Sequence, residues 1–198
     1  MQITKGAAHL TNADSQLARI IEDIGTIEMP PPAGNFESLV DSIVSQQLST
    51  KAAATIFKRV TLALENEITP RRVLQTDAQT LRNAGLSGQK TKYLGALSEA
   101  FLENPKDYEN LHLQTDSEVI ELLTAIKGIG VWTAQMFLIF TLLREDVFPV
   151  GDLGVRRGME RLLFSGEKQP HDVLTQRAEI WAPYRSVASL YLWRSLAK

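Results

Sequence analysis

Apolar residues recur along this chain at the spacing of a helix face, and no stretch shows a convincing strand alternation. Phe36, Leu39, Val40, Ile43 and Val44 stand at i, i+3, i+4, i+7 and i+8, one side of a 3.6-residue helix. Ser49 is placed to cap a second helix whose core face carries Ile56, Val60 and Leu64. Thr69-Pro70 opens a short third one, with proline at the position where its missing N–H costs nothing. Thr76 with Gln79 reads as a capping box and Gly85 as a stop, after which Ser87 caps a helix to about residue 103. Asn104-Pro105 interrupts the pattern and Asp116 restarts it. Two more faces follow, Val155, Met159, Leu162 and Leu163, then Tyr184, Val187, Ala188, Tyr191 and Leu192. The expectation is an all-α fold of about ten helices, with Pro30-Pro31-Pro32-Ala33-Gly34 as a stiff linker after an N-terminal helix.

One helix pattern stops for a reason of its own. Val119, Leu122, Leu123 and Ile126 form a buried face that ends at Gly128 and resumes at Val131, leaving the turn Gly128-Ile129-Gly130. Glycine accepts positive φ and lets its backbone approach another molecule closely. The helix that starts there has unpaired N–H groups at its first turn, which suit an anion. A Gly-x-Gly turn by itself is an ordinary helix–helix connection. Twenty-two residues past Gly130 stands Asp152, in the run Val147-Phe148-Pro149-Val150-Gly151-Asp152. Pro149 and Gly151 break the preceding helix, and Asp152 is placed to cap the next.

The hairpin and the aspartate, taken together, resemble the helix-hairpin-helix DNA glycosylase superfamily, whose signature is a hairpin, a Gly/Pro-rich loop and a catalytic Asp. Bifunctional members carry a nucleophilic lysine just after the Gly-Val of the hairpin. Here that residue is Trp132, and an indole cannot form a Schiff base. The chain has no cysteine, so the four-Cys iron–sulfur cluster of two other branches cannot be built. The tryptophan is instead similar to the alkylated-base branch, the 3-methyladenine DNA glycosylase II family. Ser45-Gln46-Gln47-Leu48-Ser49, Gly85-Leu86-Ser87 ahead of Lys90 and Tyr93, and Trp181-Ala182-Pro183-Tyr184-Arg185-Ser186 also match, so the resemblance spans roughly Phe36 to Trp193.

The resemblance implies two lobes around a DNA-binding cleft. Residues 1–34 would be an N-terminal helix and linker joining the first lobe, and 35–198 the glycosylase core. Middle helices, about 50–145, would make one lobe, and the early and C-terminal helices the other. The compact form is expected, without the N-terminal α+β domain of larger bacterial relatives. The implied activity is monofunctional hydrolysis of the N-glycosidic bond of alkylated purines, 3-methyladenine and 7-methylguanine, in base excision repair. Asp152 is the expected catalytic residue. Trp132, Tyr184, Met136 and Leu153 are expected to line the base pocket, with the aromatics stacking on a cationic base. Gln47, with Leu48 as the alternative, is the expected wedge that fills the gap left by a flipped nucleotide. Lys127, Gly128, Gly130, Arg156 and Arg157 are expected to grip DNA. The family also implies a Na+ or K+ held by hairpin carbonyls, assigned here to Gly128 and Gly130, and no required cofactor. His9, His112 and His171 are too scattered to suggest a transition-metal site.

Charge qualifies this picture without reversing it. The formal net charge of the 198 residues is −2. Residues 1–125 hold 11 Lys and Arg against 16 Asp and Glu, whereas the remainder holds 10 against 7. The hairpin and Asp152 lie in the basic part, and phosphate contacts depend on one face rather than on the total. Affinity for damaged double-stranded DNA should therefore be modest and salt-sensitive. No apolar stretch has the length of a membrane helix and no signal peptide is evident, so the expectation is a cytoplasmic, nucleoid-associated monomer. Two rivals stand beside this reading: a helix-hairpin-helix protein that binds damaged DNA without cutting the glycosidic bond, and a monofunctional glycosylase for another lesion.

Overall fold

A computed structural model describes residues 1–196. Among these the chain is wholly helical, with thirteen α-helices and two 3₁₀ turns and no strand. The count exceeds ten because short polar segments with good caps make helices of their own. Asp14 illustrates this: its carboxylate accepts from the N–H groups of Gln16 and Leu17 and divides what reads as one N-terminal helix into two.

The described residues fall into two compact units, one of residues 1–31 with the chain from 138 onward, the other of residues 32–137. The first unit contains α1 (Ile3–Ala13) and α2 (Ser15–Ile24) from the N-terminal end of the chain. Its remaining helices are α11 (Leu153–Leu163), α12 (His171–Ala178) and α13 (Arg185–Ser195), with a 3₁₀ turn at Glu179–Trp181. α13 is the core of this unit: every residue from Ser186 to Leu192 is buried. Leu10, Leu17, Val155, Met159, Leu174 and Trp181 pack around it. Asp14 ties the sequence-distant pieces together, accepting from Trp181 Nε1 at 2.8 Å and from Arg177 at 2.7 Å. Tyr191 Oη donates to the carbonyl of Gly25 at 3.0 Å, closing α2 onto α13.

The second unit contains α3 (Asn35–Ser45), α4 (Thr50–Ala63), α5 (Pro70–Gln75), α6 (Ala78–Asn83), α7 (Gly88–Glu103), α8 (Pro105–Glu109) and α9 (Asp116–Thr124), with a 3₁₀ turn at Leu111–Leu113. The helix α10 (Val131–Phe140) begins in this unit and runs past its boundary at Phe137. α3 belongs here, ahead of the position near 50 at which the middle lobe was expected to start, because α3 packs on α4 and α7. Its buried face is the periodic set Phe36, Leu39, Val40, Ile43 and Val44. α7 is the longest helix at 16 residues and packs against α3, α5, α6 and α8.

Most caps follow the sequence. Ser49, Thr69 and Ser87 each accept from a backbone N–H in the first turn of the following helix. The expected capping box at Thr76 and Gln79 is corrected. Thr76 ends α5, its hydroxyl donating to the Arg72 carbonyl, and Asp77 caps α6 by accepting from Gln79 and Thr80. A carboxylate is the stronger acceptor and takes two amides at once. A true capping box occurs at Thr115 and Glu118, one residue before the expected restart at Asp116.

Candidate DNA-binding and catalytic residues

In the second unit, α9 stops at Thr124 and the chain turns through Ile126, Ile129 and the two glycines. Ile126 and Ile129 are buried, and Ile129 N–H donates to the Ile126 carbonyl at 3.1 Å, so the turn is anchored from inside. Its two glycines are there for different reasons. Gly128 has φ +100°, and a Cβ on it would lie 2.3 Å from Cγ of Tyr93. A Cβ on Gly130 would meet nothing within 4 Å. No internal contact therefore accounts for Gly130, while the approach of another molecule's backbone would. The Gly130 carbonyl accepts from Ala134 N–H at 3.0 Å, starting α10, and the Gly128 carbonyl accepts from Gln46 Nε2 at 2.8 Å. Each carbonyl oxygen has two lone pairs, so each retains capacity for one further partner, as a monovalent cation requires.

Around this turn the side chains expected to act outward are exposed. Lys127 is exposed, and Trp132 is 47 % exposed. A tryptophan that open offers about half its surface to a binding partner. Met136, one helical turn later on the same face of α10, is half-buried. Gln47 and Leu48 follow the end of α3 and are both exposed. Gln47 has φ +57°, a left-handed conformation uncommon for a residue with a side chain.

In the first unit, Asp152 is the N-cap of α11, as expected. Its Oδ1 accepts from Val155 N–H at 2.8 Å and from the indole Nε1–H of Trp193 at 2.8 Å. Trp193 in turn stacks on Phe140, with centroids 5.6 Å apart and planes 29° from parallel. Gly154 makes room for this arrangement: a Cβ there would fall 2.7 Å from Trp193 Cδ1 and 3.1 Å from Asp152 Oδ1. The loop leading into Asp152 is also held. Asp146 takes a two-pronged contact from Arg185 at 2.8 Å on each prong, and Val147 N–H donates to the Ser186 hydroxyl at 2.9 Å. The Asp146 carboxylate beside Arg185 holds that guanidinium's pKa above its ordinary value.

Other expected residues of this unit are dispersed. Leu153 is 50 % exposed, next to Asp152. Tyr184 is 7 % exposed and belongs to the core around α13, with the His9 ring 5.2 Å from its own. Arg157 is exposed, whereas Arg156 is half-buried with its Nε directed into the protein. Trp193, which bonds the expected catalytic carboxylate, was not among the expected site residues. Its only trace in the sequence is the small residue at position 154, which makes sense once α11 and α13 are seen to cross there.

Three residues behind the hairpin complete the picture. Lys90 Nζ donates to the carbonyls of Val44 and Gln46, Tyr93 backs Gly128, and Gln46 bonds the hairpin. Burial pushes the Lys90 ammonium below its ordinary pKa. Among the described residues no group of His, Asp and Glu is arranged to hold a metal ion, and no helix is long and apolar enough to cross a membrane.

Comparison with known proteins gives the family of the chain. Residues 40–183 match the family described as HhH-GPD superfamily base excision DNA repair protein. The chain is 36 % identical over 204 residues to DNA-3-methyladenine glycosylase 1 of Schizosaccharomyces pombe, covering 98 % of this chain and 87 % of that one. Among solved structures, it is similar to a DNA-3-methyladenine glycosidase of Bacillus halodurans, with TM-score 0.85 and 39 % identity, covering 98 % of this chain and 89 % of that one. It is also similar to the Schizosaccharomyces pombe 3-methyladenine DNA glycosylase in complex with abasic DNA, with TM-score 0.88 and 32 % identity over 98 % and 97 % of the two chains.

Proposed function

Because the chain belongs to the HhH-GPD superfamily of base excision DNA repair proteins, we propose that it is a monofunctional DNA glycosylase hydrolysing the N-glycosidic bond of alkylated purines such as 3-methyladenine and 7-methylguanine. The observation that carries this reading is Asp152, a helix-capping carboxylate oriented by a second donor, the Trp193 indole. A pure cap needs only the backbone N–H. A carboxylate held by a half-buried indole as well is pre-organised, as a group that stabilises developing charge must be.

An alkylated purine is already cationic and leaves readily. As it departs, positive charge builds on the deoxyribose in an oxocarbenium-like transition state. A fixed carboxylate beside the sugar stabilises that charge and orients or deprotonates a water on the opposite face. Asp152 is assigned this role. No residue supplies an amine at the hairpin position occupied by Trp132, so the reaction ends at hydrolysis, without lyase cutting of the backbone.

The partner is double-stranded DNA carrying the lesion. Access to the glycosidic bond requires the base to leave the stack. Gln47 or Leu48, exposed on the turn after α3, fills the gap, and glutamine can also hydrogen-bond the orphaned base. The first-turn N–H groups of α10 and the side chains of Lys127 and Arg157 take the phosphates. Trp132 offers a π face to the cationic base. A Na+ or K+ on the Gly128 and Gly130 carbonyls would add positive charge near a phosphate. With Met136 and Leu153 rather than further aromatic rings at the expected pocket positions, the preference is for easily lost cationic bases over neutral ones. The protein acts as a monomer.

The test is excision from methylated duplex DNA by wild type and Asp152→Asn, scoring released base and strand breaks separately. Asparagine also caps helices, so the variant should fold with its thermal midpoint within about 4 °C while losing at least about a hundredfold in rate. Free base without breaks from wild type alone supports the assignment. Selective binding of damaged DNA without base release would make the protein a damage-binding module.

A further inference from the structure

α7 reaches two of the functional turns at once. Lys90 and Tyr93 lie three residues apart on it and so share a face. Lys90 Nζ donates to the Val44 carbonyl at 2.7 Å and the Gln46 carbonyl at 2.6 Å. These belong to the last turn of α3 and the residue after it, where a helix leaves carbonyls without intrahelical donors. Helices commonly close such an end with a left-handed glycine. Here Gln46 and Gln47 follow Ser45, and Gln47 itself takes φ +57°. A side-chain-bearing residue persists in that conformation where its surroundings impose it. The ammonium on Gln46 is the adjacent restraint.

The second contact of α7 is with the hairpin. The Tyr93 ring fills the space a Cβ on Gly128 would need. The ring of contacts is then closed by Gln46, whose side-chain Nε2 donates to the Gly128 carbonyl at 2.8 Å. From α7 the path runs through Lys90 to the end of α3, through Gln46 to the hairpin, and through Tyr93 back to α7. The start of α7 is itself secured by the Ser87 hydroxyl, which accepts from Lys90 N–H at 3.2 Å. Lysine suits the position because its ammonium has three donors and no acceptor, so it can hold two carbonyls at once.

We infer that Lys90 and Gln46 are positioning residues for the DNA wedge: together they hold the exposed Gln47–Leu48 turn in a fixed register with the Gly128–Gly130 hairpin, so that phosphate gripping and gap filling are performed by one rigid body. This rests on the reading of that turn as the wedge. Neither side chain needs to touch DNA. Their contribution is to selectivity for a duplex with a gap over one without, since the hairpin grips both alike.

The experiment uses the full chain with two probes, a duplex carrying a tetrahydrofuran abasic analogue and the same duplex without it. 2-Aminopurine opposite the analogue reports insertion by fluorescence. The variants are Lys90→Met and Gln46→Ala, the second breaking the ring through a half-buried side chain if the first fails to fold. Each should retain affinity for the undamaged duplex within about twofold and lose about tenfold of the preference for the abasic probe, as expected for a lost charged or polar hydrogen bond. The fluorescence change should shrink, and Gln47→Ala added to either variant should cost less than it does in wild type. If Gln47→Ala or Leu48→Ala lowers the preference while Lys90→Met and Gln46→Ala leave it intact, the wedge stands and the positioning role is wrong. Equal loss on both probes also overturns it, since that is a general loss of structure. If neither Gln47→Ala nor Leu48→Ala changes the preference, the wedge reading itself fails and takes this inference with it.

Discussion

Replacing Trp193 by Phe removes a contact to Asp152 that a helix cap alone does not need. The indole Nε1–H reaches Asp152 Oδ1 at 2.8 Å, and Val155 N–H reaches the same oxygen at 2.8 Å. Phenylalanine keeps an aromatic ring for the stack on Phe140 but removes the indole donor. A hydrogen bond to a charged group contributes about 1.5–3 kcal/mol, and about 1.4 kcal/mol is a factor of ten in rate. If most of that orientation is expressed in the transition state, single-turnover release of 7-methylguanine from duplex DNA should slow by between about tenfold and a hundredfold. Thermal unfolding separates this loss from damage to the fold. The smaller ring leaves space beside α11, costing about 1–3 kcal/mol in stability. The same space makes a second, coupled prediction. Gly154→Ala in the native chain places a Cβ 2.7 Å from Trp193 Cδ1 and should be strongly destabilising. In the Trp193→Phe background it should cost much less, giving an interaction energy of about 1 kcal/mol or more between the two sites. A Trp193→Phe rate within twofold of wild type, in a chain as well folded as the double variant, would show that Asp152 acts without the indole and would remove the argument made from it.

Three further substitutions probe the rest of the structure. Asp14→Asn removes a buried charge that accepts from Trp181 and Arg177. Burial favours the neutral acid, but the bonds from Trp181, Arg177 and the Leu17 N–H more than offset it, so the Asp14 pKa lies below its ordinary value. A carboxylate with a depressed folded pKa contributes stability that is complete above the unfolded value and is lost as pH falls through the folded one. Wild type should therefore exceed Asp14→Asn by about 2–3 kcal/mol at neutral pH, with the gap closing below about pH 4. A gap in denaturant melts that stays constant down to about pH 3 would contradict this assignment. At the hairpin, Gly128→Ala should lose more than about 2 kcal/mol because both its φ and the Tyr93 ring oppose a Cβ. Gly130→Ala should lose less than about 0.5 kcal/mol yet weaken binding to any duplex. Equal stability effects at the two glycines would mean that the turn is not divided between internal packing and an external partner.

Much of this molecule was legible in its residue order because the governing physics is local. A 3.6-residue apolar period implies a helix wherever it occurs, and the faces of α3, α9 and α11 follow it. A serine, threonine or aspartate ahead of such a face satisfies free N–H groups within three residues, so Ser49, Ser87 and Asp152 could be identified as caps. The Gly128 turn and the spacing from it to Asp152 were equally visible, as was the absence of a lysine at Trp132. Where two local rules competed, the stronger acceptor decided, and Asp77 displaced Thr76 as the cap of α6. What the order of residues could not disclose are the contacts made by side chains far apart along the chain. Trp193 meets Asp152 across 41 positions, Lys90 meets Val44 across 46, and Gln46 meets Gly128 across 82. Nor does a pattern say which aromatic is open and which is buried: Trp132 is exposed on α10 whereas Tyr184 is enclosed by the helices around α13. Local sequence determines which segments are helices and where they begin, since those energies are settled within one turn. Only the packing of helices decides which polar groups meet, because each such bond depends on the position of two segments that share no local signal.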